Sequence, residues 1–461
     1  MAVTSATIPV HNPYDGELVG EVPSVSERQL RAALDAAASW RRELARHERQ
    51  RILGEVADAL EARREQLAAL ITSESGLCLK DTRHEVERAV DVFRLAAIEA
   101  LRDDGESFAG DITARGRNRR AHTLRVPVRL VAAITPFNHP LNQVAHKLAP
   151  AIAAGAPIVL KPSERTPMSA LALAELIAAA GLPEGAVRIV CGDPAAVLDG
   201  FLAHDAVEVV SFTGGVAVGR MIAARLGYRR AVLELGGNDP LIVLADADLE
   251  EAAALAVAGA FSNSGQRCTA VKRIIAVESI ADELADRISA GAARLRVGDP
   301  ADDATDIGTV IDERAAITIQ ERVRAAVRAG ARLLHGGERA GAQLTPAVVD
   351  HVRPQMELVA RETFGPVAPI IRVRDLDDAI EVANATPYAL SSGVCTFDWR
   401  AISRCIRELR AGTVNIREVP GWRTELTPFG GTGDSGLGVK EGVREAIRAM
   451  STTKLYTLPW D

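Results

Sequence analysis

Short apolar segments alternate with stretches of helical periodicity from residue 129 onward, and this alternation constrains the fold most strongly. The segments "RLVAAIT" (129–135), "PIVLKP" (157–162) and "VEVVSFT" (207–213) predict buried strands with helices between them. A second series runs from "LIVLADADLEEAAALAVAGAF" (241–261) to "GTVNI" (412–416). Strands that alternate with helices predict a parallel sheet with crossover connections. The chain is therefore predicted to form two α/β domains.

The first hundred residues have apolar residues at the three-to-four spacing of helices, which predicts helices over 26–44, over 47–71 and from about Asp81 to Leu101. A later helix is predicted to begin with Thr166 as N-cap and Pro167 at the first helical position, and to close at Gly181. The stretch after Ser107 loses this periodicity and is predicted to be extended.

Composition excludes several functional classes. The net charge of −7 argues against nucleic-acid binding. A basic cluster near residue 115 is expected to be a solvated or interface surface; it comprises Arg115, Arg117, Arg119 and Arg120. The N-terminus resembles no secretory signal, and no apolar run reaches the length of a membrane span. Five widely spaced cysteines fit neither a disulfide framework nor a metal site. We expect a soluble, cytoplasmic protein without a metal.

Four predicted strand ends carry polar or glycine-rich motifs: "TPFNHP" (135–140), "LKPSE" (160–164), "SFTGG" (211–215) and "LELGGN" (233–238). Ligands bind at strand ends in open α/β sheets. "NSGQRC" (263–268) follows them. In contrast, "GTGDSG" (431–436) matches a dinucleotide pattern but follows no buried strand, so we interpret it as a glycine-rich loop that shapes a site.

In this order, and together with "ETFGPV" (362–367) and "PFGG" (428–431), these motifs resemble the aldehyde dehydrogenase superfamily over nearly the whole chain. The resemblance implies a Rossmann-like NAD-binding domain (1–110 and 128–235) and an α/β catalytic domain (236–440). It also implies a small β oligomerisation segment (111–127 and 441–461) and a homodimer or homotetramer. Gly433 departs from the family, which often has Lys there.

The resemblance also implies the catalytic residues. Cys268 matches the nucleophile, whose thiolate attacks the aldehyde carbon to form a thiohemiacetal. Asn138 matches the oxyanion-binding residue, which would act with the backbone N–H of Cys268. Glu234 matches the general base that activates water to hydrolyse the thioester. The alternative interpretations are a buried structural cysteine, a turn asparagine and a strand-end glutamate in an ion pair.

For the cofactor, the resemblance implies NAD. Lys161 and Glu164 match the residues for the adenosine ribose, and a carboxylate there disfavours the 2′-phosphate of NADP. Gly214 and Gly215 would let backbone N–H groups approach the pyrophosphate, although relatives usually have a small polar residue at position 215. Glu362 and Phe364 match the pair that positions the nicotinamide ribose and ring. The remaining predicted cofactor contacts are Thr135, Pro136, Ser163 and Leu235.

Several residues favour an anionic substrate, because guanidinium groups suit tetrahedral oxyanions. The predicted substrate contacts are Arg88, His139, Arg267, Thr269 and Arg423, and the surrounding motifs resemble those of family members that oxidise phosphonoacetaldehyde to phosphonoacetate. Alternatives are succinate semialdehyde, glyceraldehyde 3-phosphate or lactaldehyde as substrate, ordinary ion pairs for the arginines, and a catalytically silent NAD-binding relative.

Overall fold

The structure, a computed structural model, describes residues 6–40 and 44–460. Its first large sheet has five parallel strands, in the spatial order Val187–Ile189, Ile158–Lys161, Val131–Ile134, Val209–Thr213 and Arg230–Glu234. The three central strands are almost wholly buried, as expected for a parallel sheet covered on both faces. The helices of this region are Asn142–Ala154, Met168–Ala179, Pro194–Ala203 and Val216–Arg225.

The second large sheet has seven strands, in the order Arg332–His335, Ala347–Asp350, Val367–Val373, Arg273–Val277, Pro240–Val243, Ser391–Cys395 and Thr413–Ile416. Only the first pair is antiparallel. Its helices are Leu249–Phe261, Glu278–Ala292, Glu313–Arg328, Glu357–Ala360, Leu376–Asn384 and Trp399–Glu408. The predicted alternation of strands and helices in an α/β fold is confirmed.

The extended stretch forms a separate antiparallel sheet of three strands, Ser451–Pro459, Arg119–Pro127 and Ser107–Ala109. Within the basic cluster, the guanidinium group of Arg120 lies 4.3 Å from the centre of the Trp460 ring, and Arg119 donates to Thr457. Smaller two-stranded ladders pair Thr7–His11 with Leu18–Pro23, Arg339–Ala340 with Gln343–Leu344, and Tyr388–Ala389 with Thr432–Gly433.

The other helices are Glu27–Ala38, Arg46–Ala62, Arg64–Ser75, Leu79–Ala100 and Val443–Ala449. The predicted helix over 26–44 begins at a capping box of Ser26 and Gln29 but ends at Ala38, and residues 41–43 of that prediction lie outside the described residues. The predicted helix over 47–71 is two helices that meet at Arg63. No helix in residues 6–40 and 44–460 combines the length and apolar character needed to cross a membrane.

The predicted cap at Thr166 is wrong. The helix begins at Met168, and Pro167 is its N-cap. A carboxylate from another helix replaces the expected cap, because Glu74 accepts hydrogen bonds from the N–H groups of Met168 (2.7 Å) and Ser169 (3.1 Å). The Thr166 hydroxyl instead donates to the carbonyl of Phe137.

Candidate active site

A left-handed turn carries the predicted nucleophile. Helix Leu249–Phe261 runs into the turn Ser262–Gly265, where Asn263 and Ser264 have φ angles of 59° and 51°. Left-handed conformations are unfavourable for residues with a Cβ, so surrounding contacts must hold them. The Asn263 N–H donates to Asp81 (2.8 Å), and the side-chain amide of Asn263 donates to the carbonyl of Asn138 (2.9 Å). Cys268 follows, partly exposed and unpaired.

The environment of Cys268 favours the neutral thiol. Burial raises the pKa of the thiol to about 11, and the Lys272 ammonium acts in the opposite direction. Lys272 donates to the backbone carbonyl of Cys268 (2.7 Å) and lies 3.3 Å from a carboxylate oxygen of Glu362. Lys272 was not among the predicted site residues, although a lysine just before an apolar strand and four residues after a cysteine is a usable signal.

Asn138 lies on the loop after strand Val131–Ile134 and reaches the nucleophile turn. Its side-chain amide is buried and donates to the carbonyl of Gln266 (2.8 Å), two residues before Cys268. The structure therefore brings Asn138 and Cys268 together although they lie far apart in the sequence. The amide nitrogen has two hydrogens, so one donor remains after this bond is made.

Glu234 ends strand Arg230–Glu234 and is deeply buried. Neither carboxylate oxygen has a hydrogen-bond partner among the described residues. Burial, followed by the negative charge of Glu441, raises the pKa of Glu234 well above its ordinary value, while Arg423, Lys147 and Lys440 oppose the shift. A buried carboxylate whose oxygens have no hydrogen-bond partner can accept a proton from a reactant, and it therefore suits a general base.

The glycine-rich loop does shape this site, as the sequence predicts. The backbone carbonyl of Ser435 accepts a hydrogen bond from the N–H of Leu235 (3.1 Å), and the Ser435 hydroxyl donates to the carbonyl of Gly236 (2.7 Å). Gly430 lies so close to Glu234 that a Cβ at position 430 would overlap the Glu234 carboxylate. Gly433, where relatives often have Lys, pairs with Tyr388 at the edge of a short ladder.

The predicted adenosine-ribose residues form one group. The Lys161 ammonium binds Glu164 (3.1 Å) and the carbonyl of Pro162 (3.0 Å), while the Lys161 carbonyl accepts the N–H of Thr135 (3.1 Å). The Lys161 side chain is buried, and that of Glu164 is about two-fifths exposed at 41%. The Ser163 hydroxyl accepts the N–H of Arg165 (3.1 Å). A cation therefore positions the carboxylate predicted to bind the ribose.

The start of helix Val216–Arg225 offers a site for a phosphate. Gly215 is its N-cap and has nothing within 4 Å of the position that a Cβ would occupy, whereas a Cβ on Gly214 would strike the Phe212 ring. The hydroxyls of Thr135 and Thr213, on neighbouring strand ends, are buried without a partner among the described residues. Free N–H groups at a helix start and unpartnered hydroxyls fit a dinucleotide.

Glu362 and Phe364 lie on the same side as Cys268. Glu362 accepts the N–H of Gly237 (3.1 Å), next to the Leu235 segment, in addition to its contact with Lys272. The Phe364 ring meets the Phe137 ring edge-on at 6.0 Å between centres, and Phe137 follows Pro136. Glu362 and Phe364 therefore both lie against Lys272, whose ammonium binds the backbone carbonyl of Cys268.

Two of the predicted substrate arginines share one buried counter-ion, Glu425, which was not among the predicted site residues. Arg88 donates to Glu425 (2.6 Å), and Arg423 lies 3.8 Å from the other carboxylate oxygen of Glu425. His146 contacts that second oxygen at 2.6 Å. Burial works against ionisation of Glu425, but Arg88, His146 and Arg423 together hold its pKa well below the ordinary value.

Arg267 is anchored at the end of the preceding helix. It donates to the carbonyls of Ala258 (3.2 Å) and Gly259 (2.7 Å), while its Nε atom is buried without a hydrogen-bond partner among the described residues. Burial lowers the pKa of Arg267, Asp81 opposes the shift, and Arg88 adds to it. Thr269 packs against Gly421, where a Cβ would strike the Thr269 hydroxyl.

His139 contributes less positive charge than the sequence suggests. Its Nδ1 atom lies 3.6 Å from Glu85, whose other oxygen accepts the N–H groups of Leu141 (2.8 Å) and Asn142 (2.9 Å). Burial lowers the pKa of His139, although Glu85 opposes the shift. A neutral imidazole at this position can donate a hydrogen bond but supplies no full charge. No cluster of potential metal ligands occurs in the described part of the chain.

Comparison with known proteins places this geometry in context. The sequence profile of the aldehyde dehydrogenase family matches residues 1–456. The chain is 36% identical over 456 residues to the 3-sulfolactaldehyde dehydrogenase of Priestia aryabhattai, covering 99% of this chain and 95% of the relative. It is 37% identical to the sulfoacetaldehyde dehydrogenase of Neptuniibacter caesariensis, covering 98% and 100%.

The solved structures that resemble the chain include the NADP-dependent glyceraldehyde-3-phosphate dehydrogenase of Bacillus halodurans C-125 complexed with NADP. This structure matches with a TM-score of 0.95 at 37% identity, and the match covers 100% of this chain and 97% of that one. The agreement in both sequence and structure extends over the whole chain.

Proposed function

The chain belongs to the aldehyde dehydrogenase family and has its fold, and from this premise we propose that it oxidises phosphonoacetaldehyde to phosphonoacetate with NAD. As a member of this family it is an NAD(P)-dependent oxidoreductase that acts on aldehydes. The proposal concerns the substrate, the choice of cofactor and the roles of individual residues. Each of these rests on the geometry around Cys268.

The first step is attack by Cys268 on the aldehyde carbon. Because the pKa of the thiol is raised, Cys268 loses its proton to solvent as it attacks, and Lys272 is the cation that favours the thiolate. The remaining amide hydrogen of Asn138 and the N–H of Cys268 stabilise the developing oxyanion. The residues around Gly215, Glu164 and Glu362 would hold NAD, which would supply the acceptor for the hydride.

Glu234 acts in the second step. Its unpartnered carboxylate is free to take a proton from water, which then attacks the thioester carbonyl and releases the acid and the Cys268 thiol. A buried base with a raised pKa has a greater driving force for this proton transfer than an exposed carboxylate. An acyl-transfer enzyme that passes the thioester to another thiol would have no need of it.

One observation carries the substrate proposal. The Nε of Arg267 and the Nη1 of Arg423 are buried cationic donors without a hydrogen-bond partner among the described residues. Burying an unpartnered cationic donor is costly, so an anionic group of the substrate would stabilise this arrangement. Arg88 supplies a third guanidinium group, because it binds the same carboxylate, Glu425, that Arg423 contacts. A phosphonate, which is tetrahedral and carries up to two charges, matches several guanidinium groups.

A sulfonated aldehyde is the second candidate. Relatives at 36% and 37% identity are named for sulfolactaldehyde and sulfoacetaldehyde, whose sulfonate group is also tetrahedral but carries a single charge. Glu425 already neutralises part of the positive charge of Arg88 and Arg423, so the remaining charge also suits a singly charged group. The test below also includes a carboxylated aldehyde and a phosphorylated aldehyde as substrates.

The test is kcat/KM for phosphonoacetaldehyde, sulfoacetaldehyde, glyceraldehyde 3-phosphate, succinate semialdehyde, lactaldehyde and propanal, followed as NADH formation. Phosphonoacetaldehyde is expected to rank first. A higher kcat/KM for sulfoacetaldehyde would indicate that the sulfonated aldehyde is the substrate. Tight NAD binding without turnover of any aldehyde would favour a catalytically silent relative.

A variant isolates the role of the anion. Arg267→Gln is expected to raise KM for the preferred anionic aldehyde about tenfold, the loss of roughly 1.4 kcal/mol, and to leave propanal oxidation unchanged. Arg400→Gln, at an exposed position on helix Trp399–Glu408, is the matched control and should alter neither. Equal losses for propanal and the anionic aldehyde would contradict a specific contact with the anion.

We propose that Glu164 selects NAD over NADP. A carboxylate held by Lys161 accepts hydrogen bonds from ribose hydroxyls and repels a 2′-phosphate. Glu164→Gln should therefore lower the ratio of kcat/KM for NAD to that for NADP about tenfold, mainly by improving the use of NADP. The neighbouring Glu175→Gln serves as the control. An unchanged ratio would assign cofactor choice to other residues.

The remaining expectations concern organisation. We propose the division into an NAD-binding domain (1–110 and 128–235), a catalytic domain (236–440) and an oligomerisation segment (111–127 and 441–461), in a homodimer or homotetramer. We also propose a cytoplasmic location, supported by five cysteines that are all unpaired and would persist in a reducing compartment.

A further inference from the structure

A cavity of about 660 Å³ lies outside the candidate active site and shares no residue with it. Helices Arg46–Ala62, Asn142–Ala154 and Val443–Ala449 contribute to its wall, together with strand Arg119–Pro127 and the end of helix Leu79–Ala100. Its volume falls within the range of small-molecule sites. The composition of its lining indicates what kind of molecule it fits.

Seven arginines line this cavity, on a protein whose net charge is negative: Arg46, Arg49, Arg102, Arg125, Arg129, Arg444 and Arg448. Four of them are paired with carboxylates. Arg444 binds Glu99 (2.8 Å), Arg448 binds Asp104 (3.1 Å), Arg46 lies 3.3 Å from Asp103, and Arg102 lies 3.5 Å from Glu99. Three of the seven guanidinium groups are not in these pairs.

Within residues 6–40 and 44–460, the other three have no carboxylate partner. Arg49 donates to the carbonyl of Ala153 (2.8 Å), and its Nε is buried without a partner. Arg125 donates to the hydroxyls of Ser451 (3.0 Å) and Thr453 (3.1 Å), and Arg129 is exposed. Because these acceptors are uncharged, they do not neutralise the positive charges of Arg49 and Arg125.

The neighbouring charges affect the pKa of two of these groups. Burial and the neighbouring Arg46 lower the pKa of Arg49. Burial lowers the pKa of Arg125, Asp104 opposes the shift, and Arg448 adds to it. Cations that repel one another in a partly buried wall are stabilised by a bound anion.

We propose that this cavity binds an organic phosphate, with the phosphate group against Arg49, Arg125 and Arg129. The rest of the ligand would contact the apolar part of the lining, which includes Trp40, Leu124, Val128 and Ile447. Guanidinium groups bind phosphate oxygens in pairs of parallel hydrogen bonds, which favours phosphate over a carboxylate with fewer oxygens. This site is independent of the proposed catalytic function.

The test titrates the full-length protein with phenyl phosphate and with inorganic phosphate by calorimetry, with saturating NAD present to occupy the cofactor site. Phenyl phosphate is expected to bind about fivefold or more tightly than inorganic phosphate, because its ring reaches the apolar wall. The double variant Arg49→Gln/Arg125→Gln should weaken phenyl phosphate binding about tenfold or more. Its kcat/KM for the aldehyde should remain that of the wild type.

The matched control is Arg324→Gln/Arg400→Gln, which removes two exposed arginines elsewhere and should keep wild-type affinity. If the double variant does not fold, Arg129→Gln changes an exposed residue and should still weaken binding. Equal affinity in wild type and both cavity variants would overturn the site. If phenyl phosphate and inorganic phosphate bind equally well, the claim that the ligand has an organic part would be wrong. If the cavity variants change the oligomeric mass but not the affinity for phenyl phosphate, the cavity wall would be a contact between subunits and not a ligand site.

Discussion

Glu234 and Glu441 are two buried carboxylates that influence each other. The negative charge of Glu441 raises the pKa of Glu234, while Glu441 itself is bound by the buried Lys147 (2.9 Å), and its own pKa is lowered. Burial acts to raise the pKa of each carboxylate, so the opposite net shifts arise from the charged partners. Lys147 stabilises the charge of Glu441 directly and that of Glu234 only at longer range. The arrangement keeps one carboxylate ionised and the other ready to take a proton.

Glu441→Gln is therefore expected to lower the pKa of Glu234. The variant removes a negative charge and frees the Lys147 cation, and both changes favour the ionised form of Glu234. Because the proposed base, Glu234, can act only when ionised, the acidic limb of the kcat profile should move to lower pH, by about one pH unit. The exposed Glu321→Gln is the control. A shift to higher pH would contradict the proposed direction of coupling.

Sequence motifs predict catalytic roles for Cys268, Asn138 and Glu234 because each lies in a conspicuous loop or strand end. Their buried partners were missed because those contacts join distant positions, such as Arg88 with Glu425, 337 positions apart, and Lys147 with Glu441, 294 apart. One local signal was available. His146 and Lys147 interrupt an otherwise apolar helix and are fully buried, and buried ionisable residues require internal partners.

Among the elements, the turn Ser262–Gly265 has the most demanding backbone. Gly265 has φ 68°, and a Cβ there would overlap the carbonyl of Gly365. Gly265→Ala should lower the free energy of unfolding by about 2 kcal/mol or more and reduce kcat, because Cys268 would be displaced. Thermal unfolding and steady-state kinetics measure the two effects. Wild-type kcat would show that the turn tolerates a Cβ and does not fix the nucleophile.

Gly215 provides the opposite case at the start of helix Val216–Arg225. Its φ is −69°, and the space for a Cβ is open. Gly215→Ser should stabilise the helix by a few tenths of a kcal/mol, since Ser is a better N-cap than Gly. The added hydroxyl should also lower KM for NAD. An increase in KM for NAD would indicate that the cofactor approaches this backbone more closely than a side chain permits.

Element boundaries were less predictable than element types. The sequence indicated a helix near residues 166–181 correctly, but the cap came from Glu74, on another helix, and no local pattern contains that information. The break at Arg63 within the predicted helix over 47–71 was missed for a related reason. Helical periodicity continues across the break, so the apolar spacing alone does not reveal it.

At the scale of the whole molecule, strand Ser451–Pro459 forms the edge of the three-stranded sheet and leaves one side unpaired among the described residues. Exposed apolar side chains occur on this sheet; they are Phe108, Leu124, Leu455, Tyr456 and Leu458. A long edge strand with exposed apolar side chains is prone to pair with a strand of another chain. This arrangement supports the proposed homo-oligomer, which the sequence suggested only by resemblance.

Leu455→Glu/Leu458→Glu should therefore dissociate the oligomer. Leu455 and Leu458 are 60% and 45% exposed, so the isolated chain should tolerate both changes, whereas burying two carboxylates at an interface is strongly unfavourable. Light scattering coupled to size-exclusion chromatography should give the mass of one chain for the variant and a multiple of it for the wild type. Leu333→Glu, at a 40% exposed position on a different sheet, controls for added charge. A wild-type mass equal to one chain would exclude this edge as an interface between copies.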